Sequence, residues 1–172
     1  VSAAQSTVVA APTSITAGVA TSTITVTARD ASGNVIAGAT VTLAATGTGN
    51  TITQPAAVTN ASGVATGSIA STVAQAKAVS ATIGAVAVTQ TATVTVVPAA
   101  ISGTNSSIAA APSSITAGGG AAIVMVVARD AFGNVVSGAT VVISSTGTNN
   151  AITQPAATTD ANGTAIGAIG ST

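Results

Sequence analysis

Residues Thr23–Ala28 read Thr-Ile-Thr-Val-Thr-Ala, an unbroken alternation of polar and apolar side chains. Successive side chains of a β-strand point to opposite faces of its sheet, so a period of two predicts a half-buried strand. Ile24, Val26 and Ala28 would face a core, and the threonines between them would face water. Threonine, valine and isoleucine also suit the pleated surface of a sheet, because their branched side chains pack well there.

The same alternation recurs on both sides of this stretch, and turn clusters rich in Gly, Asn and Ser separate the runs. No stretch shows the 3.6-residue period of a helix. Short alternating strands at this spacing are typical of a two-sheet antiparallel sandwich, so we predict an all-β fold. The other predicted strands are Thr7–Ala11, Thr40–Leu43, Val64–Ser71, Ala76–Ile83 and Val86–Val97.

The chain also repeats itself at an offset of 100 residues. Val1–Thr72 and Ile101–Thr172 are identical at 40 of 72 aligned positions. A period this long indicates repeated domains rather than solenoid units. We therefore expect a complete sandwich over residues 1–100 and a second, incomplete one over residues 101–172, which lacks counterparts of the last strands. Either the natural chain continues, or a neighbouring chain donates the strands.

The composition excludes several classes of function. The 172 residues include three basic and three acidic side chains, no Cys, no His and no Trp or Tyr. Nucleic-acid binding needs a basic surface, and disulfides or thiolate metal sites need cysteine. Acid–base catalysis would depend on Asp30, Asp130 or Asp160, each without a second carboxylate near it in the sequence. We expect no enzyme, no cofactor, no nucleic-acid partner and no membrane insertion in this segment.

Four segments, taken in order, resemble the bacterial immunoglobulin-like (Ig-like) domain of the intimin/invasin group: Ser14–Gly18, Thr25–Val41, Gly63–Gly67 and Val79–Gly84. The resemblance covers the first copy and the existing part of the second. It implies tandem Ig-like β-sandwiches at the cell surface, used as a stalk that holds a binding tip away from the cell. The tip of such proteins looks like a distal lectin-like module, which this sequence does not contain, so no receptor-binding residue is carried over.

Two motifs have a chemical and a structural interpretation. Asp30 and Asn34 could begin a calcium-binding loop, but calcium needs six to eight oxygen ligands. We therefore favour the structural interpretation, in which the Asp30 side chain accepts hydrogen bonds from the amides of its own turn. Lys77 could form an isopeptide crosslink, but that reaction needs a buried acid beside the lysine, and the chain has no Glu.

Differences between the copies suggest a protein contact face. Polar residues of the first copy, among them Thr25 and Ser32, are replaced by apolar ones in the second. Exposed apolar strips often mark contact surfaces, so we expect this face to pack on another copy of the chain or an adjacent domain. The candidate face consists of Ile123, Met125, Val127, Phe132 and Val142.

The sequence therefore predicts a structural or adhesive spacer of an extracellular bacterial surface protein. Its expected partners are neighbouring Ig-like repeats or other copies of the same chain. The alternative is a self-assembling filament or virion-decorating subunit, joined by strand donation and by the apolar face of the second repeat.

Overall fold

The computed structural model describes residues 1–172. It contains strands β1 to β13 and no helix, which confirms the all-β prediction. Accordingly, the chain has no helical segment with the length and apolarity needed to cross a bilayer. Contacts divide the chain into two compact units, Val1–Val97 (unit 1) and Pro98–Thr172 (unit 2).

Unit 1 consists of two facing sheets. The first sheet has the order β1 (Thr7–Ala11), β3 (Ser22–Thr27), β6 (Val64–Ser71), β5 (Asn50–Thr53). The second has the order β2 (Ser14–Thr16), β9 (Ala92–Val97), β7 (Ala76–Ile83), β4 (Val41–Ala45), with β8 (Val86–Ala87) beside β7. Alternation places one side of every long strand between the sheets, as in Ser22–Thr27, where buried residues alternate with more exposed ones.

The core of unit 1 is made of small and medium aliphatic side chains. Ile24 and Ile69 from the first sheet and Val79 and Val94 from the second are fully buried, and the core contains no aromatic residue. Such side chains allow the sheets to approach closely. A Cβ atom on Gly67 would lie 2.6 Å from Leu43 Cδ1 and 2.5 Å from the Thr53 carbonyl oxygen, so only glycine fits there.

Three details differ from the sequence prediction. Val86–Val97 is two strands, not one. Val88 N still donates to the carbonyl oxygen of Ala81 on β7, but the chain then leaves the ladder, and Thr89 N donates to the carbonyl oxygen of Ala3. The short strands β2 and β5 were not predicted. The sandwich is also not wholly antiparallel, since β2 pairs with β9 in parallel.

Unit 2 contains one sheet, whose order repeats that of the first sheet of unit 1. Its strands are β10 (Ser107–Ala111), β11 (Ala122–Val127), β13 (Thr164–Ser171) and β12 (Asn150–Thr153). The counterpart of β4, residues 141–145, forms no strand. Ile143 nevertheless remains buried, because the Gln154 side chain bonds both its N–H and its carbonyl oxygen at 2.7 Å, as Gln54 does for Leu43.

The inner face of the unit 2 sheet is therefore only partly covered. Val8 in unit 1 is 1% exposed, whereas its counterpart Ile108 is 66% exposed. Ile69 is fully buried, whereas Ile169 is half-buried. Equivalent positions thus contribute to a closed core in one unit and to an open face in the other.

This difference makes a stability prediction. Ile69→Ala should destabilise unit 1 by about 2–5 kcal/mol, the usual cost of a core cavity. Ile169→Ala should cost less, because the half-buried site loses fewer contacts. Denaturant unfolding of both variants, followed by hydrogen exchange to assign each transition to its unit, measures the two costs. Equal costs would contradict the open inner face.

Candidate functional site

One aspartate holds together the turn that both copies share. Asp30 Oδ1 accepts hydrogen bonds from the N–H groups of Ser32 and Asn34, and Oδ2 accepts one from Asn34 Nδ2, all at 2.9 Å. The turn continues with Gly33 at φ 85°, a left-handed conformation that glycine adopts without strain. These bonds confirm the turn interpretation of Asp30, and they occupy both carboxylate oxygens that a calcium ion would need.

Asp130 forms the same turn and has a further partner. Its Oδ2 also accepts a hydrogen bond from the N–H of Ala99 at 3.0 Å, and Asn105 Nδ2 donates to its backbone carbonyl oxygen at 3.0 Å. Asp130 is fully buried, whereas Asp30 is half-buried. The aspartate of unit 2 therefore fixes the chain segment that enters its own unit.

Hydrogen bonding controls the pKa of both aspartates. Bonds from the side chain and backbone of Asn34 hold the pKa of Asp30 below its ordinary value of 3.8. Burial alone would raise the pKa of Asp130, but bonds from Asn134, Ala99 and Phe132 outweigh burial, and the pKa lies below 3.8. Both groups are thus held as carboxylates by structural bonds, which makes them poor proton donors or acceptors for catalysis.

Lys77 is a buried cation in the core of unit 1. It lies on β7 opposite Val94 and is fully buried, and its Nζ donates to the carbonyl oxygen of Thr48 at 2.7 Å. Burial lowers the pKa of Lys77 below its ordinary value of 10.5. The carbonyl oxygen of Thr48 is not a carboxylate, so this contact offers no acid for an isopeptide bond.

Neither clusters of ligating side chains nor cavities suggest a reaction. No three side chains of His, Cys, Asp or Glu converge at a place that could hold a metal ion. A depression of about 290 Å³ in unit 1 is lined by Gly, Ala, Val, Thr and Ser, without a titratable side chain. Such a lining offers no group that could transfer a proton or attack a substrate.

The structure brings three of the five predicted contact residues together. Ile123, Met125 and Val127 share the outer face of β11, the face turned away from the core. Ile123 is 57% and Met125 is 44% exposed, while Val127 is half-buried. Phe132 lies in the turn after this strand, 47% exposed. Val142 lies apart: it belongs to the segment 141–145, outside the sheet, and is 79% exposed.

Two further residues extend the outer face and were missed from the sequence. Met125 pairs with Ile166, and Ile123 pairs with Ala168. The equivalent pairs in unit 1 are Thr25 with Thr66 and Thr23 with Ser68. Comparing the two copies would also have found the changes from Thr66 to Ile166 and from Ser68 to Ala168. Their significance, however, depends on the strand register. We call the set Ile123, Met125, Ile166 and Ala168 the outer patch.

Comparison with protein families identifies one match. The model of the family described as bacterial Ig-like domain (group 1) matches residues 5–97. Among curated protein sequences, none matches this chain significantly.

Solved structures of bacterial proteins have a similar fold. The adhesin FdeC of Escherichia coli is 25% identical with a TM-score of 0.65; the match covers 99% of this chain and 57% of FdeC. InvD of Yersinia pseudotuberculosis is 29% identical with a TM-score of 0.72, covering 99% of this chain and 50% of InvD. Invasin, a bacterial integrin-binding protein, is 22% identical with a TM-score of 0.72, and the match covers 99% of this chain and 35% of the solved invasin chain. At this identity it supports the fold alone. These likenesses confirm the predicted Ig-like fold.

The buried aspartate gives a prediction on acid stability. Because the pKa of Asp130 is lowered on folding, its carboxylate stabilises unit 2 above the unfolded pKa, and this contribution disappears as the pH falls through the folded value. Asp130→Ala should cost about 1–3 kcal/mol at pH 7, since four donors lose their acceptor, and should accelerate hydrogen exchange of the Ala99 amide. Unfolding at pH 7 and at acid pH measures the first effect. An unchanged Ala99 exchange rate would refute the anchoring bond.

The buried lysine gives a prediction of the same sign in the alkaline range, because its pKa is also lowered on folding. Between the lowered pKa of folded Lys77 and 10.5, the unfolded chain keeps the lysine proton and the folded chain loses it. The free energy of unfolding of unit 1 should therefore rise as the pH increases toward 10.5. Lys77→Met keeps the length of the side chain without its charge and should remove this rise. Denaturant unfolding at pH 7 and pH 10 compares the variant with the unmodified chain. A parallel rise in both would show that Lys77 is not responsible.

Proposed function

This chain belongs to the bacterial Ig-like domain family (group 1), and on that premise we propose that it is a non-enzymatic spacer of an extracellular bacterial surface protein. The chain spans 57% of the solved chain of FdeC and 50% of that of InvD. In this role the units carry no reactive group of their own. They set the distance between the cell and whatever lies beyond them.

The connection between the units is the observation that supports this proposal most strongly. Val97, the last residue of unit 1, accepts a hydrogen bond at its carbonyl oxygen from the N–H of Ala17 at 2.9 Å. Ala99 is bonded to Asp130 within unit 2. Pro98 is the one residue between these anchored positions, and its ring restricts its own φ. A connection this short limits the freedom of the chain, as a spacer of fixed length requires.

The chemistry of the side chains also suits a passive segment. The carboxylates of Asp30 and Asp130 are committed to their turns, and Lys77 is buried in the core. The chain has three Lys and Arg residues and one aromatic residue, so it offers few cleavage sites to proteases that select basic or aromatic side chains. An exposed spacer benefits from both properties.

The alternative is a self-assembling filament or virion-decorating subunit. Two features of unit 2 favour assembly: the outer patch and the partly uncovered inner face around Ile108. In this alternative a neighbouring chain would cover the inner face with donated strands. Assembly and spacing are separable by experiment, because spacing needs the connection at Pro98 and assembly does not.

The spacer function predicts that distance scales with copy number. Copies of Val1–Val97, joined by the natural connection Pro98–Ile101, would be displayed on a bacterial surface with a fluorescent tip, and the height of the tip above the membrane would be measured. Height should increase in proportion to copy number. In a control with a 12-residue Gly/Ser connection, height should increase only about as the square root of copy number. Equal scaling in the two series would overturn the spacer proposal.

A further inference from the structure

The outer patch of unit 2 differs from the same surface of unit 1 in one respect, its polarity. In unit 1 the central row of this face is Val9, Thr25 and Thr66, in register on adjacent strands. In unit 2 the row is Ala109, Met125 and Ile166. The neighbouring row changes from Thr23 and Ser68 to Ile123 and Ala168. Strand order and register are the same in both units, so the substitutions leave the fold unchanged and alter only what the sheet presents to its surroundings.

The patch is exposed and continuous. Ile123 is 57%, Met125 is 44% and Ile166 is 58% exposed. They lie on two hydrogen-bonded strands, and neighbouring strands are about 4.8 Å apart, so their side chains form one surface rather than isolated apolar points. Its apolar area is on the order of 300–400 Å², the size of the largest patch on a typical soluble domain, which is often functional.

We propose that the outer patch binds the outer patch of a second copy of this chain. The patch carries no charge and, apart from its paired backbone, no hydrogen-bonding group. A partner with polar or charged contact groups would leave them desolvated and unpaired, which costs free energy. A second copy of the same patch leaves no such group. The formal net charge of the chain is zero, so no overall electrostatic repulsion opposes the approach of two copies.

The geometry of sheets suits this pairing. Two sheets pack face to face about 10 Å apart with their strands inclined by about 30°, which is the contact already made inside a sandwich. A two-fold arrangement brings the same residues of both copies together, as in most protein homodimers.

The area of the patch also predicts the strength of the dimer. A stable interface buries about 800 Å² on each partner, roughly twice the area of this patch. One pair of patches therefore gives a weak, reversible dimer. Chains held side by side at high local concentration would associate more strongly. The inference does not depend on the spacer function: it concerns lateral contact between chains, whereas the spacer function concerns the connection along one chain.

Sedimentation velocity of the whole chain, from about 10 µM to about 1 mM, measures the association directly. The test variant combines Ile123→Thr, Met125→Thr, Ile166→Thr and Ala168→Ser, which restore the residues that unit 1 carries on the same strands. Because unit 1 folds with these residues, we expect the variant to fold. Its dimerisation constant should weaken at least about tenfold. The matched control is Ile108→Thr, on the inner face, and it should leave the constant within about twofold.

A crosslinking measurement tests the position of the contact. The chain contains no cysteine, so a single introduced thiol reports on its own surroundings. Met125→Cys should be joined into a dimer by a short bis-maleimide, whose reach suits sheets about 10 Å apart, at least about tenfold faster than Thr25→Cys, its counterpart on unit 1. The two positions are equivalent in β3 and β11, with the same register and outward orientation, so the comparison reports on the surface around each of them.

Each outcome has a defined meaning. Concentration-dependent dimers that weaken in the four-residue variant, with preferential crosslinking at Met125→Cys, support the proposal. A chain that stays monomeric up to about 1 mM overturns it. Association that persists in the four-residue variant but disappears with Ile108→Thr also overturns it and assigns the contact to the inner face. Equal crosslinking at the two cysteine positions overturns it as well.

Discussion

The close approach of two sheets lined by small aliphatic side chains is the constraint on which this fold depends. No aromatic side chain fills the core, so the sheets come near enough for Leu43 to lie against Gly67. Alternation at period two then decides the character of every strand residue, since one set of side chains enters the core and the other set forms the surface. Because the inner set must remain small and apolar, variation between the copies concentrates on the outer set, and function can change there without altering the core.

Unit 2 shows how much of this arrangement a single sheet retains. Gln154 holds Ile143 by both backbone groups, and a Cβ atom on Gly167 would meet Ile143 Cδ1 as closely as one on Gly67 would meet Leu43. These local interactions keep part of the inner face covered without the facing strands. The Asp130 turn and its bond to Ala99 are equally local. The parts of the structure that organise the connection between units thus do not depend on a complete sandwich.

Sequence periodicity predicted the long strands best and non-local pairing least. Val64–Ser71 and Ala76–Ile83 were predicted with the observed bounds, because eight alternating residues leave little ambiguity. The strand Ser14–Thr16 is too short for a pattern, and its parallel partner lies about 80 residues away, at a separation that no local signal encodes. Extending the alternation backwards from Ile83 places Lys77 on the core side of β7, where it is fully buried. Only Ile123 and Met125 of the outer patch were predicted from the sequence. Ile166 is recognised as part of the patch only from its register with Met125.

The central claim is that these units act through their cooperative fold and not through chemistry, and single-molecule extension of the chain tests it most directly. Pulled from both ends, unit 1 should resist and then unfold in one step, releasing the length of residues 1–97, on the order of 300 Å at about 3.3–3.6 Å per residue less its folded length. A smooth extension without a discrete step would show that unit 1 has no cooperative resistance to force, and the mechanical account would be wrong.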